Sequence, residues 1–303
     1  MSLQRAIGVD VGGTKILAGV VERDGTIVRS HRRPTPVGST QEFLAGLAAI
    51  VDELRDDTVA TVGIGIPSTI DQKAGRAVFS VHVPLADIDL RDRAAEHLRL
   101  PAAIDNDANA AAVGEWVAGA GRGASDMVML TLGTGIGGGL ILGGKLYRGS
   151  TGAAAEIGHM VLEYDGPECQ GFCTGRGHFE WFVSGSAAGR LAQELLGPPA
   201  DAHRLVDAAR AGDGRALEAL AAMGRMLGAG IATLVNVLDP ELVVVGGGFG
   251  EAHDLLLPSA REIVVRDALP PGRDRVRVVP AELGEEAGMI GAALIGFERL
   301  GAG

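Results

Sequence analysis

The feature that most constrains this chain is a layout that occurs twice. Residues 6–25 read AIGVDVGGTKILAGVVERDG and residues 129–149 read MLTLGTGIGGGLILGGKLYRG. In each, an apolar run reaches a glycine turn, a second apolar run leaves it, and another turn leads into a short closing run. The two copies begin about 120 residues apart, a separation that fits duplication at domain scale. Chance recurrence in a chain with 47 glycines is the competing explanation. Duplication predicts two related α/β lobes, each carrying one strand–turn–strand unit at its entrance.

The second copy also invites two other readings. Residues 127–144 carry no charge, but seven glycines and two threonines in that stretch make poor hydrocarbon-facing surface. Gly133-x-Gly135-x-x-Gly138 matches a dinucleotide fingerprint, which needs a helix directly after the glycines. Here the glycines lead instead into Leu140-Ile141-Leu142, then Gly143-Gly144, then Lys145-Leu146-Tyr147, so a hairpin is expected. In the first copy, Gly12 and Gly13 permit positive φ and close approach of the main chain, so turn amides can face phosphate oxygens. Thr14 adds a hydroxyl, Lys15 a cation, and Asp10 a carboxylate able to hold Mg²⁺ through water. The pattern is not a Walker loop, which has four residues before Gly-Lys and a helix after it. Thr134-Gly135 supplies the matching hydroxyl-plus-amide pair in the second copy.

Between the copies the pattern is α/β. Apolar residues at Phe43, Leu44, Leu47, Ile50, Val51 and Leu54 have helical spacing, 61–67 reads as a strand, and 90–98 as an amphipathic helix. A short strand at 102–104 runs into Asp105-Asn106-Asp107, and the alanines beyond favour a helix starting there, because Asn and Asp cap N-termini. One cap would explain one polar residue but not three. Asp107, oriented by Asn106 and the helix N-terminus, is therefore a candidate general base. In the second half, helices are expected at about 186–196, 202–211, 214–238, 251–265 and 286–300, with strands at 241–245 and 275–279. Gly246-Gly247-Gly248 ends the first of those strands.

The segment 151–180 reads as irregular and polar, and holds the densest constellation. His159, Cys169, Cys173 and His178 offer two thiolates and two imidazoles within twenty residues, a set suited to tetrahedral Zn²⁺. A glycine-interrupted loop cannot build a core of its own, and a metal would order it. Two cysteines four apart do not make a disulfide framework, and with no signal region in the first residues a cytoplasmic protein is expected. A net charge of −11 and 4% aromatic residues argue against a nucleic-acid partner, and no run argues for a membrane.

Taken together these motifs resemble the ROK family of repressors, open-reading-frame proteins and sugar kinases. DVGGTK at 10–15, NDANAAA at 106–112, LGTGIGGG at 132–139, AAEIGHM at 154–160, CQGFCTGRGHFE at 169–180 and GGG at 246–248 carry the resemblance, in order, from residue 7 to the last helix. It implies an actin-like ATPase (ribonuclease H-like) fold: two duplicated α/β lobes with an interlobe cleft, residues 1–117 plus about 287–303 forming one and 118–286 the other. It implies phosphorylation of a hexose by ATP with Mg²⁺, glucose to glucose 6-phosphate first among the options, and a homodimer. Asp107 corresponds to the catalytic base, and Asn106, Glu156, His159 and Glu180 to sugar-hydroxyl ligands. The two glycine hairpins (Asp10, Gly12, Gly13, Thr14, Lys15; Thr134, Gly135) would handle phosphates, and Gly246, Gly247 and Gly248 would lie near adenosine.

The chain departs from the family pattern in two places. The usual Cys-x-Cys with a third cysteine is here Cys169-x3-Cys173 with His178 in the third position. Ser68 follows Pro67, where glycine is frequent, and His82 precedes Val83-Pro84, where asparagine is frequent. Both lie where the resemblance places the sugar, so the acceptor stays open among glucose, an N-acetylhexosamine, fructose and another hexose, and the donor between ATP and polyphosphate. A sugar-sensing regulator would need a winged-helix region ahead of the first glycine motif, and six residues precede Ile7.

Overall fold

The computed structural model describes residues 4–80, 82–171 and 173–300. In chain order the strands and helices are β1 (Arg5–Val11), β2 (Lys15–Val21), β3 (Ile27–Pro34), α1 (Thr40–Leu54), β4 (Val59–Ile66), β5 (Ser68–Asp71), β6 (Arg76–Ser80), β7 (Ala86–Ile88), α2 (Leu90–Leu98), β8 (Ala102–Asn106) and α3 (Asp107–Ala118). They continue with β9 (Met127–Leu132), β10 (Ile136–Ile141), α4 (Phe179–Phe182), α5 (Gly185–Leu196), α6 (Ala202–Arg210), α7 (Gly214–Leu238), β11 (Leu242–Gly246), α8 (His253–Asp267), α9 (Gly272–Arg275), β12 (Arg277–Pro280) and α10 (Ala287–Glu298). By internal packing they fall into two units, residues 1–123, 139–155 and 282–303 in one, and 124–138 with 156–281 in the other.

The first unit is built on a five-stranded sheet of order β3-β2-β1-β4-β8. The β1–β2 hairpin is antiparallel, whereas β1, β4 and β8 run parallel. Their register sets Asp10 opposite Gly65 and Gly65 opposite Asp105, so the carboxyl ends of the three parallel strands converge on acidic residues. In open α/β sheets that edge is where ligands bind. One sheet face packs on α1 and α2 through Ile7, Val9, Phe43, Leu47, Ile50 and Leu90. The other face meets α10 at backbone distance. A Cβ on Gly8 would fall 1.9 Å from the Met289 carbonyl oxygen, and one on Gly63 1.7 Å from that of Ala292. Any side chain there would lift α10 off the sheet, and α3, which packs on α10, would move with it.

The second unit carries the four-stranded sheet β10-β9-β11-β12, except residues 139–141 of β10, which count with the first unit. Here β9, β11 and β12 run parallel, with β10 beside β9. The order hairpin partner, first, second and third parallel strand is thus the same in both units, as duplication requires. Helix α7 is long and apolar enough to span a membrane by length and composition, but 56% of its most apolar window is buried within the fold. It begins under an Asp213 side-chain cap and packs along α8, where a Cβ on Gly224 would reach 2.4 Å from the Leu256 carbonyl oxygen.

Strands come after the glycine turns of both hairpins and no helix does, which removes the dinucleotide reading. The helices expected from the sequence begin within a residue or two of expectation, and some start on local caps: Ser39 accepts from the Glu42 amide, and Ser184 from that of Ala187. Several features differ: the short helices α4 and α9 were not expected, and the strand expected at 275–279 begins at Arg277 because residue 275 ends α9. The three-stranded sheet β5-β6-β7 between residues 68 and 88 was not expected from the sequence, since its strands are short and weakly alternating. Nor do Gly12 or Gly13 adopt the left-handed region expected of the turn. Their value is lack of bulk: a Cβ on Gly13 would press within 3.3 Å of the His82 Cβ.

Candidate active site and metal centre

The three polar residues at the β8–α3 junction have three different tasks. Asn106 is the N-cap of α3, its side-chain oxygen accepting from the amides of Ala108 and Asn109 at 2.9 and 3.3 Å. Asp105 is 1% exposed and bonded all round, accepting from the Asn109 side chain at 2.9 Å, from the Asn106 amide at 2.9 Å, and from Arg148 Nε at 2.6 Å. Arg148 also reaches Glu298 at 3.1 Å. Burial opposes the charge on Arg148, but Asp105 and Glu298 more than offset it and hold the guanidinium above its ordinary pKa. The third residue, Asp107, is the first of α3, and one of its oxygens accepts from the Ala108 amide at 2.9 Å. The first turn of a helix is a favourable place for a carboxylate. The junction therefore presents one carboxylate and uses the neighbouring polar groups to fix the backbone that carries it.

Asp10 lies at the end of β1 in the same unit. Burial first, then the charges of Asp107 and Glu285, raise its pKa from 3.8 to about 7, with Lys15 acting in the opposite direction. Its carboxylate fits against the first turn of α10 because residue 288 is glycine; a Cβ there would come 2.6 Å from Asp10 Cγ. At the hairpin the Gly12 amide donates to the Lys15 carbonyl at 2.9 Å, leaving Gly13 and Thr14 exposed at the tip. Lys15 Nζ meets Glu285 at 2.6 Å, and Arg32 pairs with the other oxygen of that carboxylate. The segment before Glu285 is held by buried Glu115, which accepts from the amides of Leu283 and Ala120 at 2.8 Å each. Asp105, Arg148, Glu115 and Glu285 were not picked out by sequence reasoning. The acidic run around 105 held a hint of the first, and nothing local marked the others.

Ser68 is 4% exposed, and its hydroxyl donates to the Phe79 carbonyl at 2.7 Å across β5 and β6. Its own carbonyl lies 3.5 Å from the Asn106 side-chain nitrogen. His82 is exposed beside the Gly13 tip.

In the second unit, the irregular segment folds its four expected ligands into one cluster. The donor atoms of His159, Cys169, Cys173 and His178 lie within 4.8 Å of one another. Among them His159 Nδ1 and His178 Nδ1 are 3.1 Å apart, Cys173 Sγ is 3.6 Å from His178 Nδ1, and Cys169 Sγ is 3.9 Å from His159 Nδ1. A zinc tetrahedron with Zn–N near 2.0 Å and Zn–S near 2.3 Å has edges of roughly 3.3–3.8 Å, so the donor set and its spacing fit that metal. Without a metal the thiol of Cys169 holds its proton, with a pKa pushed up to about 12 by burial and by the Glu180 carboxylate 3.3 Å away. Burial also holds the Glu156 carboxyl above its usual range, His159 opposing the shift and Glu180 adding to it. Elemental analysis of the purified protein is expected to give about one zinc per chain. A folded sample with no metal would remove zinc from this cluster.

The second hairpin repeats the first in outline: the Gly133 amide donates to the Gly135 carbonyl at 3.0 Å and Thr134 is exposed at the tip. Gly135 leaves room for the Glu180 carboxylate: a Cβ there would fall 2.2 Å from Glu180 Oε2 and displace it. At the end of β11, Gly247 has φ +83° and lies against the Leu132 backbone, a conformation and a fit that only glycine combines. Gly247 and Gly248 are exposed.

A model of the ROK family matches residues 6–298. A glucokinase of Thermotoga maritima is 38% identical, over 98% of this chain and 98% of that protein. A glucokinase of Streptomyces coelicolor is 36% identical, over 95% of this chain and 96% of its own length. Among solved structures, a ROK family glucokinase of Streptomyces griseus in complex with glucose and AMPPNP superposes with a TM-score of 0.85 at 35% identity, covering 97% of this chain and 99% of that one.

Proposed function

This chain belongs to the ROK family and has its actin-like ATPase fold, and from that premise we propose that it is a hexokinase that transfers the γ-phosphoryl group of ATP to glucose, giving glucose 6-phosphate and ADP. The observation that carries the proposal is the β8–α3 junction, where Asp105, Asn106 and Arg148 fix the backbone and one carboxylate, Asp107, is presented at a helix N-terminus.

Asp107 takes the proton from the primary hydroxyl as that oxygen attacks the γ-phosphorus. The new O–P bond forms as the bond to the β-phosphate oxygen breaks, and ADP leaves with the electron pair. The transition state is loose, so most of the remaining catalysis is positioning and charge neutralisation. Thr14 and the Gly12–Gly13 amides serve phosphate at one hairpin, and Thr134 and Gly135 at the other. Lys15 can serve phosphate once it exchanges Glu285 for it. Asp107 and Glu285 bear on Asp10 with charge of the same sign, a setting that suits a cation, and Asp10 would hold Mg²⁺, which would supply positive charge to the phosphates. Sugar-hydroxyl roles for Asn106, Asp107, Ser68, Glu156, His159 and Glu180, and an adenosine role for Gly246, Gly247 and Gly248, are part of the same proposal. So are the lobes 1–117 with 287–303, carrying the base, and 118–286, carrying the metal loop. His159, Cys169, Cys173 and His178 would hold Zn²⁺, which supplies a fixed loop and no chemistry of the reaction. The enzyme acts in the cytoplasm, where ATP is found and cysteines stay reduced, and it assembles as a homodimer.

A coupled assay over glucose, N-acetylglucosamine, N-acetylmannosamine, fructose and mannose, with ATP and polyphosphate as donors, tests this. We expect glucose with ATP to give the highest kcat/KM. A higher value for an N-acetylhexosamine, fructose or polyphosphate would reassign substrate or donor, and no turnover with any pair would overturn the kinase reading.

A further inference from the structure

The metal cluster and the second glycine hairpin are adjacent parts of the second unit, and three separate contacts join them. Gln170, the residue after Cys169, donates from its side-chain nitrogen to the Thr134 carbonyl at 3.1 Å. Glu180, two residues after His178, bonds Cys169 Sγ at 3.3 Å through one oxygen and accepts from the Ile136 amide at 3.3 Å through the other. The turn that carries His159 presses on the same place: a Cβ on Gly158 would lie 2.3 Å from the Ile136 carbonyl oxygen. Thr134 and Ile136, on either side of Gly135, are thus held by side chains and backbone that adjoin the four clustered donors.

We propose that the metal loop is the positioning device of the second phosphate hairpin, with Gln170 and Glu180 as the side chains that transmit it. The physical reason lies in the hairpin itself. Gly133, Gly135, Gly137, Gly138 and Gly139 give it little bulk with which to fix its own shape, and glycine backbone is the most costly to order. A turn that must present an amide and a hydroxyl to phosphate gains from an external brace. Gln170 is a positioning residue in this scheme: its amide is spent on the Thr134 carbonyl, which orients the Thr134–Gly135 peptide. The assignment rests on the proposed phosphate role of this hairpin.

Hydrogen exchange separates the brace from that role. Exchange at the Gly135 and Ile136 amides is measured in the zinc-loaded wild type, in the wild type after zinc is removed by a chelator, and in zinc-loaded Gln170→Ala and Gln170→Glu. The second variant keeps the size of the side chain but lacks the donor. We expect exchange to quicken about tenfold on zinc removal and severalfold in both variants. With zinc content unchanged, KM for ATP in the variants and the Kd of a non-hydrolysable ATP analogue should rise about fivefold, the value of one hydrogen bond, while KM for glucose stays put. Unchanged exchange in every sample would overturn the brace. Faster exchange with unaltered nucleotide binding would keep the brace and overturn the phosphate role of the hairpin. A rise in both KM values together would overturn the assignment of Gln170 to the hairpin alone.

Discussion

Asp107→Asn is expected to lower kcat by about three orders of magnitude with glucose affinity within about twofold of wild type. Asparagine keeps the size of the side chain and can still accept from the Ala108 amide, as Asp107 does at 2.9 Å. What it loses is the capacity to take a proton at neutral pH. The start of α3 should be kept, because its cap is Asn106, whose side chain holds the Ala108 and Asn109 amides, and Asp105 with Arg148 keeps the junction in place. Isothermal titration with glucose and a coupled turnover assay on the same preparation separate binding from chemistry. Turnover within tenfold of wild type would remove Asp107 from the role of base.

Asp10→Asn should have the second largest effect, in opposite directions on stability and activity. The Asp10 carboxyl titrates near 7 in the fold against 3.8 in the open chain, chiefly because it is buried and then because Asp107 and Glu285 lie nearby. Between those values the folded protein binds a proton that the unfolded chain has released, so this group makes stability fall as pH rises from about 4 to about 7. Above that range the full cost of ionising this carboxylate in the fold is present, on the order of 4 kcal/mol. Asparagine cannot ionise, so the variant should be more stable than wild type at pH 8, by on the order of 2 kcal/mol once an imperfectly satisfied amide is allowed for. That advantage should shrink to nothing or reverse at pH 5. Over the same range kcat should drop by at least about a hundredfold, because the carboxylate that would hold Mg²⁺ is gone. Denaturant unfolding of both proteins at the two pH values gives the comparison. A stability difference independent of pH would show that Asp10 is not held against its charge.

The candidate site was legible in the sequence to different depths. Both glycine hairpins and the Asn106–Asp107 junction could be found because each is a run of chemistry within a few residues, and the four-ligand cluster because its donors fall within twenty. Their neighbours fix them: a cap is set by two or three residues, and a hairpin by its turn. Glycine at 12 and 13 serves in a way the sequence does not show, since neither takes a left-handed conformation and a Cβ at either would crowd its neighbour, at 3.1 Å from the Lys15 carbonyl oxygen and 3.3 Å from the His82 Cβ. The small sheet of β5, β6 and β7 escaped notice because strands of three to five residues leave too short a pattern to read.

By itself the sequence determined the two hairpins and their order, the α/β alternation, the capped start of α3, and the residue types from which a base and a metal site can be made. Those depend on contacts within one turn or one strand. Only the tertiary structure decided what surrounds each group: that Asp105 is spent on Arg148, 43 residues away, that Glu285 reaches back 270 residues to Lys15, and that Gly8 and Gly63 are the floor on which α10 rests. Such partners depend on which strands pair and which helix covers them. No local pattern encodes that choice, because it is made by burying a whole face of the sheet at once.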